Sequence, residues 1–448
     1  MSISIAPTNR FLGFQVYALG CKVNQYDAAV LRRTLEKAGF EINDAPKLVI
    51  VSTCAVTQKA ITKDRQLINR LRRQFPSAWI IITGCWPQID KMAASDFMFD
   101  KFIFWGTGRV SSLTKKIKDI FADDIQAINK AKDSPASAVG EFSQLAATDR
   151  SRYFLKVGDG CNQFCSYCVI PFARGRLSSR PISVLLREAR AAVRAGYQEI
   201  VLSGIHLGQY GQDLRTRALN QPTPNLVVLL KNILAIKNVG RIRLSSIEIN
   251  ELTPELISLI KTDKRICRHL HISLQSGSDK ILSLMGRPYS AKYFVDRVAL
   301  LRRALPDIAI TTDVIVGFPG ETEKDFLATC AFVKKLKFSK IHVFSFSLHK
   351  MTRAAQLPGK IDEVQIKRRS KHLQSISIVL EEAYRRAILK KYRHQDLHII
   401  VDHSSGARLK GKTEFSFDLE GPLKEKIADS VGGNWEKLIG RIYPVKIA

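Results

Sequence analysis

The sequence predicts an α/β protein made of an N-terminal parallel α/β domain, a partial βα barrel and a small C-terminal β-barrel. Three observations carry this. Strand-like and helix-like runs alternate near the N-terminus, six further apolar runs are separated by amphipathic stretches, and the last segment breaks into short alternating runs at Gly, Asn and Asp. At 448 residues the chain exceeds one ordinary core, and domains of about 100 to 200 residues predict two to four units.

The first elements are FQVYALG, NQYDAAVLRRTLEKAGF, KLVIVST, QKAITKDRQLINRLRRQF and AWIIITG. This βαβαβ rhythm argues for a parallel sheet covered by helices on its faces. Each apolar run is followed at once by a cysteine: Cys21, Cys54 and Cys85. A parallel sheet gathers the carboxyl ends of its strands on one edge, so the three thiols are expected to converge. KDSPASAVGEFSQLAATDRSR lacks periodicity and reads as a linker. From Tyr153 onward the strand candidates are YFLKVG, EIVLSGI, RIRLSSI, LHISLQ, ITTDVIVG and KIHVFSF, separated by helical stretches such as VLLREARAAVRAGY and FVDRVALLRRAL. Six βα units fit a barrel or partial barrel whose active site gathers at the carboxyl strand ends, with a doubly wound sheet as the alternative. Residues 361–392 read as a helix leading out of the barrel. LHIIVDH, GKTEFSFDLEG and KLIGRIYPVKIA then read as short strands of an OB-like β-barrel, a fold that often binds oligonucleotides. The expected boundaries are 12–125 for the first domain, 126–150 for the linker, 151–380 for the barrel and 381–448 for the last domain.

Lys and Arg number 70 against 41 Asp and Glu, a net charge of +29 that is spread along the chain rather than confined to a tail. Such a surface favours a polyanionic partner, and a folded RNA suits it better than a short anionic ligand because phosphate contacts accumulate along a backbone. No apolar stretch is long enough to span a bilayer, and the N-terminus lacks the pattern of a secretory signal. A cytoplasmic protein without a membrane partner is expected.

The chain has eight cysteines, and cytosolic thiols are kept reduced, so metal binding or catalysis explains them better than disulfides. Cys161, Cys165 and Cys168 form a CxxxCxxC array just after a strand. Three close thiolates can hold three irons of a 4Fe-4S cluster and leave the fourth iron open to another ligand. A structural zinc site lacking its fourth ligand, or a set of buried thiols, is the alternative, although the spacing differs from the paired CxxC of zinc ribbons.

The CxxxCxxC array, with Tyr167 before its last cysteine, resembles the radical S-adenosylmethionine (SAM) signature. The resemblance implies that Cys161, Cys165 and Cys168 hold a 4Fe-4S cluster whose open iron binds SAM, and that one-electron reduction cleaves SAM to a 5′-deoxyadenosyl radical. ALGCKVNQYD, VSTCAVT and TGCWPQ are similar to the N-terminal domain of the methylthiotransferases within that superfamily. This implies a second 4Fe-4S cluster on Cys21, Cys54 and Cys85 that takes part in sulfur insertion. FARGRLSSRP, LSGIHLGQYG, RLSSIE, HISLQSGSDKIL, MGRPYS and DVIVGFPGET extend the resemblance through the barrel. By that resemblance Gly204, Ser276, Gly277, Asp313 and Gly317 contribute to the SAM pocket. Gly204, Gly277, Gly317 and Gly320 also read as tight-turn glycines. Arg243 and Glu248 also read as ordinary surface charges, and His206 receives no role. GKTEFSFDLEG with LIGRIYPVKI resembles a TRAM domain, a small RNA-binding β-barrel in which Phe415 and Phe417 either stack on bases or fill the core.

Lys22-Val23-Asn24 after the first cysteine most resembles the group acting on threonylcarbamoyladenosine beside the tRNA anticodon. The groups acting on isopentenyladenosine and on a ribosomal-protein side chain are the alternatives. FSFSLHKMTRAAQLPG departs from the proline-rich loop often found after the last barrel strand in the family. The resemblance implies tRNA, an electron donor and a sulfur source as partners. A rival of another class is a non-catalytic iron–sulfur protein that binds RNA or senses redox state.

Overall fold

Each apolar run of the N-terminal region becomes a strand of one parallel sheet. In the computed structural model, which describes residues 12–97, 100–131, 151–214, 224–405, 408–422 and 438–446, the chain divides into two units. The first comprises Met1–Ala147 and Phe172–Gly175. Its strands β1 (Leu12–Ala18), β2 (Phe40–Ile42), β3 (Leu48–Thr53), β4 (Trp79–Gly84) and β5 (Phe102–Gly106) lie in the order β2-β1-β3-β4-β5. β2 and β5 add an edge strand on either side of the βαβαβ core legible in the sequence.

Strand alternation divides the core of this unit. Leu48 and Ile50 of β3 face one layer with Leu31 and Leu35 of α1 (Lys22–Lys37), whereas Val49 and Val51 face the other with Ile61, Ile68 and Leu71 of α2 (Gln58–Gln74). Burial on both faces explains why β3 has no polar alternation. Thr57 accepts a hydrogen bond from Ala60 N and caps α2, so the chain turns into a helix three residues after Cys54. The strand order reverses between β1 and β3, and such a switch point opens a crevice outside the carboxyl strand ends.

The second unit comprises Thr148–Pro171 and Arg176–Ala448. β6 (Tyr153–Lys156) leads to the short antiparallel pair β7 (Gly158–Asp159) and β8 (Ser178–Ser179), followed by β9 (Glu199–Ser203), β10 (Arg241–Leu244), β11 (Ser246–Ile247), β12 (His269–Ile272), β13 (Ala309–Val316) and β14 (Lys340–Ser345). β6, β9 and β10 pair in parallel as one sheet, and β11 to β14 as another. A parallel bridge between Ile242 and Ile266 carries the order from β10 toward β12, so the six expected strands follow one another in chain order as a partial barrel. The helix expected at 361–392 runs from Glu363 to Lys391, with Asp362 capping its first turn.

The C-terminal segments form β15 (Asp396–Ser405), β16 (Arg408–Thr413), β17 (Asp418–Pro422) and β18 (Ile442–Lys446), an antiparallel sheet ordered β17-β16-β15-β18. This small sheet is consistent with a TRAM-like domain; residues 423–437, between β17 and β18, lie outside the described residues. Phe415 and Phe417 are buried with Leu397, Ile399 and Leu409, so both fill the core rather than offering faces to bases.

Arg243 is not the surface charge that its residue type suggested. Arg241 and Arg243 both bond the fully buried Glu199, at 2.6 and 2.8 Å, and donate onward to the carbonyls of His398, Lys412 and Thr413 in the C-terminal sheet. Burial disfavours the Glu199 charge, but Arg243 and then Arg241 outweigh it and hold the carboxyl down at about 2. The pair's contribution is therefore present above the ordinary carboxylate range and is lost as pH falls toward about 2. Replacing Glu199 with Leu leaves two buried guanidinium groups without their anion, which costs about 3–5 kcal/mol. The denaturant midpoint of the full chain's second unit is expected to fall accordingly, and an unchanged midpoint would contradict this role.

Candidate active site

In the first unit, Cys54 leaves the end of β3, Cys85 opens the short helix α3 (Cys85–Ile89) directly after β4, and Cys21 occupies the N-cap of α1. Gly20 has φ +94, and a Cβ there would stand 2.6 Å from Cys54 Cβ and 2.9 Å from its sulfur. Only glycine lets the Cys21 loop pass that close. The buried Asn24 donates to the carbonyls of Leu19 at 3.1 Å and Thr53 at 2.6 Å, and its Oδ1 lies 4.0 Å from Cys85 Sγ. One amide thus ties together the loops of all three cysteines. Burial, and then repulsion from Cys21 and Cys85, push the Cys54 thiol up to about 12 despite the Val56 backbone bond. A cation that replaces the proton relieves that cost.

In the second unit, the loop after β7 carries Cys161, Cys165 and Cys168. Ser166 fixes it to the barrel: its N–H donates to Met285 O at 2.9 Å, its hydroxyl to Leu284 O at 2.7 Å, and its carbonyl accepts from Ala354 N at 2.8 Å. Arg287, two residues beyond Met285, donates to Cys165 Sγ at 3.2 Å and to Tyr289 at 3.0 Å, and pairs with Glu248. Glu248 is therefore a partly buried partner in the cysteine network, its side chain 14% exposed, not a surface charge. His206, also unassigned from sequence, places Nδ1 3.3 Å from Cys161 Sγ and Nε2 2.5 Å from Glu251. Burial, followed by repulsion from Cys165 and Cys161, pushes the Cys168 thiol up to about 12 despite the Ile170 backbone bond.

Among the described residues no three His, Cys, Asp or Glu groups converge as ligands of a single ion. A cubane cluster takes one thiolate per iron at separate corners, and each triplet supplies three thiols on loops held by the framework around them. The donor sets fit that group. Soft thiolates are its ordinary ligands, and iron takes the place of the thiol proton on binding.

The five residues expected at a SAM pocket occupy different settings. Asp313 of β13 lies 3.1 Å from His271 Nε2, with the His342 ring next to His271, so neighbouring strands bring three titratable groups together. Ser276 bonds Thr329, and a Cβ on Gly277 would meet Phe332 at 2.7 Å, so this pair allows close packing on the helix Glu323–Leu336. Gly317 has φ +79 and donates to Glu321 at 2.7 Å, closing a turn against Ile366. Gly204 follows β9, and a Cβ there would lie 3.6 Å from both Gly158 O and Val157 Cγ2.

Two family profiles match the chain: the Radical SAM superfamily over residues 155–333, and the uncharacterized protein family UPF0004 over residues 13–104. Threonylcarbamoyladenosine tRNA methylthiotransferase MtaB of Bacillus subtilis (strain 168) is 37% identical, over 87% of this chain and 84% of the relative. The chain belongs to the radical SAM methylthiotransferase family. This methylthiotransferase is also 31% identical to tRNA-2-methylthio-N(6)-dimethylallyladenosine synthase of Moorella thermoacetica, over 89% of this chain and 90% of the relative. In fold it is similar to the radical SAM methyltransferase TsrM from Kitasatospora setae, with a TM-score of 0.53, 16% identity and 77% of each chain covered. Membership makes the chain an enzyme of SAM and a 4Fe-4S cluster, not a non-catalytic sensor. No described helix of the methylthiotransferase is long and apolar enough to cross a membrane.

Proposed function

We propose that the enzyme converts threonylcarbamoyladenosine in tRNA to its 2-methylthio derivative, with one 4Fe-4S cluster on Cys161, Cys165 and Cys168 and a second on Cys21, Cys54 and Cys85. The observation that carries this reading is the presence of two separate cysteine triplets, each at carboxyl strand ends of its own α/β unit. The clusters and SAM, when bound, supply one-electron chemistry for an adenine C–H bond that offers no useful acidity to a general base. The chain's own residues hold the ligands: Arg287 and Glu248 brace Cys165, His206 and Glu251 brace Cys161, and Asn24 aligns the loops of the first unit.

Several features support tRNA as the substrate. The relatives named above act on tRNA by their names, and the chain carries a net charge of +29. In the second unit, an open cavity of about 660 Å³ is lined by Arg190, Arg194, Lys237 and Arg441. It sits at the strand ends opposite the cysteine loop, so it suits phosphate contacts rather than the reaction. The 37% relative and Lys22-Val23-Asn24 favour threonylcarbamoyladenosine, and the 31% relative keeps dimethylallyladenosine as a second reading.

Mass spectrometry of tRNA nucleosides and ribosomal proteins from a deletion strain tests the substrate. The 2-methylthio mark is expected to vanish from threonylcarbamoyladenosine alone and to return on complementation. Loss from dimethylallyladenosine, or from a ribosomal protein, would overturn the assignment.

A further inference from the structure

We propose that Arg174 is a positioning residue for the cluster on Cys21, Cys54 and Cys85, holding Cys85 and setting that cluster's reduction potential through an N–H···S bond. The proposal rests on the reading of those three thiols as cluster ligands. Arg174 follows Cys168 by six residues in the chain, yet its segment Phe172–Gly175 belongs to the first unit. Ala173 is buried in the same core cluster as Ile82 and Trp86, and its carbonyl accepts from Thr107 Oγ1 at 2.7 Å. The segment therefore has its own seat in the first unit.

The guanidinium is spent on the cysteine edge. Its side chain is 2% exposed, Nε donates to Cys85 Sγ at 3.2 Å, Nη1 donates to Asp27 at 3.0 Å, and Nη2 donates to Asn24 Oδ1. Asn24 is the residue whose amide group fixes the Cys21 and Cys54 loops, so Arg174 joins the third cysteine to the same network. An ion pair with Asp27 alone does not require Nε to face a sulfur. The planar fork satisfies both at once, which a lysine's single ammonium does not reproduce. A reduced cluster carries one more negative charge than an oxidised one. A cationic donor at a ligand sulfur therefore favours the reduced state and raises the potential.

The test uses the full chain with C161A, C165A and C168A, so that only the first unit's cluster is present after anaerobic reconstitution. Arg174→Gln and Arg174→Lys are added to this background, and one-electron reduction by dithionite is followed by electron paramagnetic resonance at controlled potential. With R174Q the reduced-to-oxidised ratio at fixed potential is expected to fall about tenfold, equivalent to ~59 mV for a one-electron couple, with R174K in between. Loss of iron from R174Q with retention in R174K is also the result of a positioning role. A parental potential and spectrum in R174Q, or equal loss of iron from both variants, would overturn the proposal. Absence of any cluster from the background chain itself would instead remove the ligand reading, and the proposal with it.

Discussion

Replacing Cys161, Cys165 and Cys168 together with Ala is expected to abolish reductive cleavage of SAM and to remove about four of roughly eight irons from the reconstituted enzyme. Production of 5′-deoxyadenosine under dithionite should fall to background. The effect is total because the three thiols are the proposed protein ligands of the cluster whose open iron meets SAM, and neighbouring side chains only brace them. The fold of the loop does not depend on those thiols alone. Ser166 binds it to Leu284, Met285 and Ala354 through both backbone and hydroxyl, so the variant retains these anchors. Circular dichroism and the absorbance of the remaining cluster establish that the chain is folded before cleavage is measured. Cleavage at the parental rate in a folded variant would remove the radical site from this loop.

The strands and cysteines were legible in the sequence because both leave strong local signals. β3 reads as a continuous apolar run, the mark of a strand covered on both faces, and each of three such runs ends at a cysteine. β2, with only Phe40 buried, and β5, with its first four residues half-buried, leave weaker signals and stood outside the expected core. The side chains around the sulfurs were less legible. Arg174, His206 and Arg287 reach their cysteines across 89, 45 and 122 positions of sequence, and no local pattern encodes such a pairing. A signal did exist in the setting of Arg287, between a positive-φ glycine and a proline, where an exposed charge has no reason to be fixed. Arg243 misled for a related reason: the alternation of RIRL places two arginines on one face, which on its own reads as a solvated edge. Only the buried Glu199 and the carbonyls of the C-terminal sheet, some 170 positions away for Thr413, account for them.

Replacing Cys21, Cys54 and Cys85 together with Ala is expected to separate the two halves of the chemistry: SAM cleavage persists while methylthiolation stops. These thiols sit on their own sheet, beside the switch point between β1 and β3, and the proposed SAM-cleaving array of Cys161, Cys165 and Cys168 lies in the other unit. Loss of ligands can destabilise the domain that a cluster organises. The buried layers on both faces of β3 contain ample apolar packing without the sulfurs, so the sheet is expected to survive. The decisive measurement is a single anaerobic reaction of this triple variant with SAM, dithionite and tRNA carrying threonylcarbamoyladenosine. 5′-Deoxyadenosine and nucleosides are quantified by mass spectrometry from the same vessel. The expected result is 5′-deoxyadenosine at a rate comparable with the parent and no 2-methylthio nucleoside. A folded variant that forms the methylthio nucleoside at the parental rate would contradict it and leave Cys21, Cys54 and Cys85 as structural thiols.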